Sequence, residues 1–229
     1  AATLRPDAAG SAAMALSDLM VHRGAPFDLY CGRHREELVE VEEKPTADPE
    51  WVEVVTTYHT PDGPLRGVFQ RSTVGKPGYD REHPLKTPDD VRRLLSMPYE
   101  PYPMDLDVYR ATEARVGDAG LVIFDLDHAM YGLQRMIGSE NFALWSVDAE
   151  DVMLEAMAVF AERIGEHARA ALGAGVRGVF GWVGPELAIP PLMSVDHFQR
   201  YVFDLDQPLI DRIHEGGGRV WVHCHGKMS

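Results

Sequence analysis

The sequence is poor in cysteine: of its 229 residues only Cys31 and Cys224 are of that type. That excludes a disulfide framework and makes a reducing, cytoplasmic setting the expectation. It also lacks any apolar run near the ~20 residues needed to cross a bilayer. The opening stretch AATLRPDAAGSAAMALSDLM has no continuous apolar core between a basic start and a small-residue cleavage site, so it does not read as a signal peptide. Basic residues are outnumbered, 22 Lys and Arg against 36 Asp and Glu, for a formal charge of −14. Nucleic-acid binding relies on neutralising phosphates with Lys and Arg, and an anionic membrane surface makes a similar demand, so neither is an expected partner. No G-x-G-x-x-G or G-x-x-x-x-G-K-[ST] follows any candidate strand, which weakens a nucleotide-binding reading. No internal repeat and no low-complexity segment is present. A small-molecule substrate is the expected ligand.

Of what is there, Ala12 to His22 has helical spacing in Met14, Leu16, Leu19 and Met20, stopped by Gly24 and Pro26. Phe27 to Cys31 reads as a short strand. Arg33 to Lys44 is heavily charged and is broken by Pro45 and Pro49. Trp51 to Tyr58, rich in Val, Thr and aromatics, suits a strand. Pro61-Asp62-Gly63-Pro64 then supplies a turn, Pro by fixing φ and Gly by allowing positive φ, so 51–73 reads as an antiparallel hairpin. The segment 74–86 reads as loop. Thr87-Pro88-Asp89-Asp90 is a helix start, with Thr as N-cap, Pro in the first turn and acids near the positive end of the dipole. A second helix is expected over Asp105–Val116, ended by Gly117.

The rhythm then changes. Leu121-Val122-Ile123-Phe124 is a continuous apolar run of the kind a strand buried on both faces shows. Residues 129–146 hold a short helix or lid. Asp148 opens a strong helix carrying Val152, Ala156, Phe160 and Ile164, ending near Gly173. Val176–Val183 is the next strand, Ser194 caps a helix ended by Gly216, and Arg219–Val222 is a third strand. Connections this long imply right-handed crossovers and parallel strands. Long segments follow each strand's C-terminal end, as in (β/α)₈ TIM barrels, where they build the active site. The expectation is a barrel of this α/β class of which the chain carries part, with an N-terminal hairpin-containing extension. An open doubly wound sheet is the alternative. The division is 1–104, with the hairpin and its helices, and 105–229, the partial barrel core, together one structural domain.

Polar groups gather where these strands end: Asp125, Asp127 and His128; Glu186; and His223, Cys224 and His225. Such residues converging on one mouth make a candidate site; loops being polar for solubility is the plainer reading. In an extended strand His223 and His225 share a face and Cys224 takes the other. The two histidines can hold one metal, zinc first, with Glu186 or an Asp125-type carboxylate as third ligand, or can hydrogen-bond without metal. Cys224 is either a small buried hydrophobe or a group swung inward. Asp125 and Asp127, on one strand face, can orient a ligand, act as acid or base, hold a cation, or cap the helix that follows. Glu186 sits behind the fixed turn of Gly184 and Pro185. His128, Tyr131, Arg135 and Trp182 are candidate substrate-pocket walls, although core packing is the simpler role for Trp182.

Three stretches resemble the uroporphyrinogen decarboxylase superfamily, which also holds zinc-dependent corrinoid methyltransferases. Tyr58–Leu65 (YHTPDGPL), with Glu82–Asp90 (EHPLKTPDD) downstream, is similar to that superfamily's TP-x-G-x-L hairpin. Pro191–Phe198 (PLMSVDHF) is similar to its MSPe-x-F helix start. Gly216–Gly226 (GGGRVWVHCHG) is similar to its G-x-x-v-x-x-H-x-C-G strand. The likeness implies a (β/α)₈ barrel with its site at the C-terminal mouth. The methyltransferases' His-x-Cys-Gly appears here as His223-Cys224-His225-Gly226, so His223 matches their first zinc ligand and His225 stands where they have Cys. The Arg-bearing RQAGR stretch of true uroporphyrinogen decarboxylases is absent. The likeness thus implies a methyltransferase-like one-carbon enzyme, zinc-dependent through His223 and His225 and linked to a corrinoid partner protein, with Glu186, Asp125 and Asp127 as catalytic groups. A cofactor-free decarboxylase of uroporphyrinogen or another carboxylated substrate, a metal-dependent hydrolase and a non-catalytic ligand-binding barrel are the alternatives.

Overall fold

Parallel pairing governs the first of two compact units. This unit comprises Ala1–Phe27, Tyr102–His128 and Ala161–Ser229; the second comprises Asp28–Pro101 and Ala129–Phe160. The structure is a computed structural model that describes residues 19–225. In the first unit β1 (Leu19–His22), β6 (Gly120–Asp125), β7 (Val179–Val183) and β8 (Arg219–His223) stand in that order, every neighbouring pair parallel. Parallel neighbours oblige the chain to cross back between strands, and helices make the return.

Alternation along these strands sorts their side chains onto two faces. Val21, Val122, Phe124, Phe180 and Trp182 are buried on one. Helices cover it: Tyr109 of α3 (Asp107–Val116) meets Phe124 edge-on at 5.2 Å, and His167 of α5 (Glu150–Gly173) stands 5.7 Å from the same ring. Ile213 of α7 (Asp204–Glu215) packs beside Phe180 over Gly218, where a Cβ would come within 2.8 Å of Ile213. The opposite face leaves Met20, Leu121 and Val183 exposed.

The second unit holds an antiparallel sheet in the order β2 (Val39–Pro45), β3 (Trp51–Thr60), β4 (Gly63–Ser72) and β5 (Tyr79–Glu82). The expected hairpin forms with Trp51 opposite Ser72 and Thr60 opposite Gly63, and Gly63 adopts the positive φ, 101°, that its turn demands. Thr87 and Asp90 close a capping box on α2 (Pro88–Leu95), each bonding the other's backbone N–H. A one-turn helix α1 (Arg35–Leu38) precedes β2. In α4 (Ala129–Asp148) the helix breaks at Gly138, whose φ of 79° suits glycine and where a Cβ would lie 2.4 Å from the His83 imidazole.

Three sequence expectations change. Leu19–His22 is a strand rather than the end of a helix, because it pairs along its length with Gly120–Ile123; the rest of that expected helix lies outside the described residues. Phe27–Cys31 is a turn rather than a strand, since the buried Asp28 carboxylate accepts the N–H groups of Tyr30 and Cys31 at 3.0 and 2.8 Å. The loop at 74–86 contains β5, which pairs with β4 once Gly75, at φ 83°, has turned the chain. The class is mixed α/β with a parallel and a separate antiparallel sheet, as the segment order implied; among the described residues the four parallel strands form an open row and not a closed barrel. No helix among the described residues is long and apolar enough to cross a membrane.

Burial of His167 sets a pH dependence. The imidazole stacks at 4.6 Å on Phe27, its Nε2 is buried without a hydrogen-bond partner, and burial pushes its pKa down to about 4. The unfolded chain protonates near 6.5, so between the two values it binds a proton that the folded chain refuses. Stability is then full above pH ~6.5 and falls as the pH drops toward 4, by on the order of 3 kcal/mol. Urea midpoints for the wild type and His167→Leu at pH 7 and pH 4 should show the wild type losing more by about that amount.

Candidate functional site

Because β1, β6, β7 and β8 are parallel, their C-terminal ends share one edge, and β1, β6 and β8 end there in polar side chains. His22 ends β1 and Asp125 ends β6. The His22 imidazole donates from Nδ1 to Asp125 Oδ1 at 2.7 Å, which leaves Nε2 as the ring's second polar atom. Gly24 lets β1's continuation pass close to β6: a Cβ there would lie 2.8 Å from the Asp125 carbonyl oxygen.

Trp221 of β8 joins this pair from the far end of the row. Asp125, Gly181 and Trp221 are in register across β6, β7 and β8, so they share a face. Two strands separate β1 from β8, about 14 Å on a flat sheet. The rings of His22 and Trp221 nevertheless meet edge-on at 5.1 Å. The sheet therefore curls toward this face and Trp221 leans across Gly181, where a Cβ would come within 3.0 Å of its ring and 2.6 Å of Ile123. On the other side of Trp221 the His223 ring lies 5.5 Å away, and His223 Nε2 stands 2.7 Å from His225 Nε2. One of those imidazoles donates and the other accepts.

The remaining expected residues fall elsewhere. Asp127 does not share a strand face with Asp125, because β6 ends at Asp125; its carboxylate instead accepts the backbone N–H of His128 at 2.9 Å. His128 is buried and reaches Asp206 Oδ2 at 3.2 Å, and Trp182 Nε1 donates to the same oxygen at 3.1 Å. Both thus sit in a buried network around α7 on the helix-covered side. Glu186 lies in the turn Pro185–Ala188 behind Gly184, with φ 119°, and its Oε2 is buried without a hydrogen-bond partner. Burial and then the Glu186 charge raise the Cys224 thiol above its usual range, which keeps it protonated and poorly nucleophilic. Tyr131 and Arg135 belong to the second unit, where the guanidinium stands 5.0 Å over the Tyr131 ring.

Two residues that matter here were not candidates from sequence. His22 was hidden by the helical spacing of the alanine-rich stretch. Asp206 lies between Leu205 and Leu209 in the helix that Ser194 opens; an acid so placed beside an apolar stripe was the available signal.

Zinc places more demands on His223 and His225 than they meet. A tetrahedral zinc with bonds near 2.0–2.1 Å holds two nitrogens about 3.3 Å apart and takes at least three protein ligands. The pair is closer than that, at 2.7 Å, and among the described residues no group of three or more His, Cys, Asp or Glu could hold a metal ion. The described donor set does not fit the zinc site that the resemblance implies.

No protein-family model matches the sequence, and no curated protein matches it. Among solved structures the chain is similar to a methyltransferase from Methanosarcina mazei, at 19% identity and a TM-score of 0.47, over 66% of this chain and 44% of that one. The chain thus spans less than half the length of that structure. A likeness of this extent says nothing of activity.

Removing the Asp206 carboxylate should be costly, since two buried donors lose their shared acceptor. Asp206→Leu is expected to lower stability by about 2–5 kcal/mol, read from urea unfolding. Asp206→Asn keeps a carbonyl acceptor and should cost less.

Proposed function

We propose that this chain is a methyltransferase-like enzyme of one-carbon chemistry, related to the uroporphyrinogen decarboxylase superfamily and built on that superfamily's barrel. Its site is the concave face at the C-terminal ends of β1, β6 and β8. The three sequence stretches and their order support the family reading. The single observation that carries the site is the His22–Asp125 hydrogen bond, 2.7 Å long, at the edge where parallel α/β sheets hold their ligands.

The chemistry follows from that bond. Asp125 fixes the ring with Nδ1 as donor, so Nε2 is the basic atom. As an acceptor's thiol or hydroxyl attacks the methyl carbon, His22 Nε2 takes its proton; the new bond to carbon forms while the bond to the donor breaks, and the donor keeps that electron pair. Trp221 walls the pocket, and the His223–His225 pair, sharing a proton, lies within reach of a polar substituent on the acceptor. A corrinoid on a partner protein is the methyl donor or acceptor that the resemblance implies.

The same His22–Asp125 pair favours one other reading, decarboxylation. There a protonated His22 would deliver its proton to the carbon that carbon dioxide has just left.

The test is turnover with methylcobalamin and a panel of small thiols, with carbon dioxide release from carboxylated substrates measured in parallel. His22→Ala should lower kcat by about 10²–10⁴-fold and Asp125→Asn by a smaller factor. Activity that survives His22→Ala would remove both readings. Carbon dioxide release without methyl transfer would select the second. Activity should also survive chelation; one zinc per chain, lost together with activity, would replace the acid–base mechanism by a metal-dependent one.

A further inference from the structure

Val222 alternates with Trp221 and His223 along β8, so it faces the side of the sheet opposite His22 and Asp125, and Cys224 lies just past the strand's end. There, with Phe198, Val202, Ile210 and Asp206, they line a cavity of about 240 Å³. A cavity of about 150 Å³ lined by apolar side chains is enough to take up benzene, so this one has room for a ring and a short substituent. Its walls are apolar except at Asp206, Gln207 and Cys224.

Two further features separate it from a packing defect. Asp206 is buried, and its Oδ2 is fixed in place by Trp182 and His128. Two hydrogen bonds hold the carboxylate there, and a cation entering the cavity would meet its negative charge directly. The other anionic group nearby, Glu186, adds to the negative field, since its charge is felt at Cys224. The helix wall is also irregular: between α6 (Val195–Phe198) and α7 runs a π-helical turn, Gln199–Phe203, which contributes Val202 and Phe203 to the lining. Such turns cost helical hydrogen-bond geometry and concentrate where a ligand makes use of the widened helix.

We infer that this cavity binds a small organic cation, a primary ammonium group on an apolar body about the size of a benzyl group, with the ammonium on Asp206 and the body among Phe198, Val202, Ile210 and Val222. Charge complementarity selects the cation over a neutral ligand of the same shape. The site is on the other face from the His22–Asp125 pair and stands or falls separately from the proposed transferase activity.

The probe is benzylammonium, compared with toluene by calorimetry and by chemical-shift titration on the full chain at pH 7. Benzylammonium should bind at least about tenfold tighter than toluene, a difference of about 1.4 kcal/mol. Asp206→Asn should bring the two affinities together, and Ile210→Trp, which fills the cavity, should abolish both while the chain still melts cooperatively. Toluene binding as tightly as benzylammonium would overturn the inference. So would benzylammonium binding that survives Ile210→Trp, or no binding of either at millimolar concentration. A dimer that Ile210→Trp splits would make the cavity an interface between copies instead. Should Asp206→Asn fail to fold, the toluene comparison and Ile210→Trp decide the matter.

Discussion

The structure of the first unit depends on parallel pairing between strands far apart in sequence, above all β1 with β6. Leu19 to His22 pairs with Gly120 to Ile123 across roughly a hundred residues, so the pairing costs a long loop closure before it returns any hydrogen bond. What secures it is burial: Val21 and Val122 both lie under the helix-covered face. With that pair fixed, every strand end lies on one edge, and residues with no local reason to meet do so there. The contact of His22 with Asp125 is a product of that register.

The two faces of the sheet hold their polar groups in different ways. On the concave face His22, Asp125, His223 and His225 are partly or fully accessible and hydrogen-bond in pairs, as groups that exchange protons with a substrate must. On the covered face Asp206 is locked by two donors from β7 and from the chain after β6. A buried carboxylate so satisfied rigidifies its surroundings, and leaving it half satisfied would be worse than having no polar group there. The network therefore ties α7 to the strand ends that position the accessible pairs.

Much of this was legible in the sequence, and the failures share a cause. The hairpin, the capped helix α2 and strands β6 to β8 are each declared by local chemistry: a Pro-Asp-Gly turn, a Thr-Pro-Asp-Asp cap, apolar runs bounded by glycine. The adjacency of His223 and His225 follows from strand alternation. His22 was missed because Ala12 to His22 satisfies a helical spacing, and only a partner a hundred residues away makes its last four residues a strand. Asp127 was misplaced by two residues of strand length. For Asp206 the signal was only its place beside an apolar stripe, because a helix pattern reports which positions are apolar and not which acid will be enclosed. β5 is four residues long and takes its shape from β4 rather than from its own composition.

Gly181 gives the concave face a particular vulnerability. The ring of Trp221 occupies the space that any side chain at 181 would claim, and the same ring separates His22 from His223. The spacing between the acid–base pair and the imidazole pair is therefore set by an atom that is missing. A lineage of such proteins could retune the width of the site through one methyl group at a strand centre, without altering any group that carries a proton.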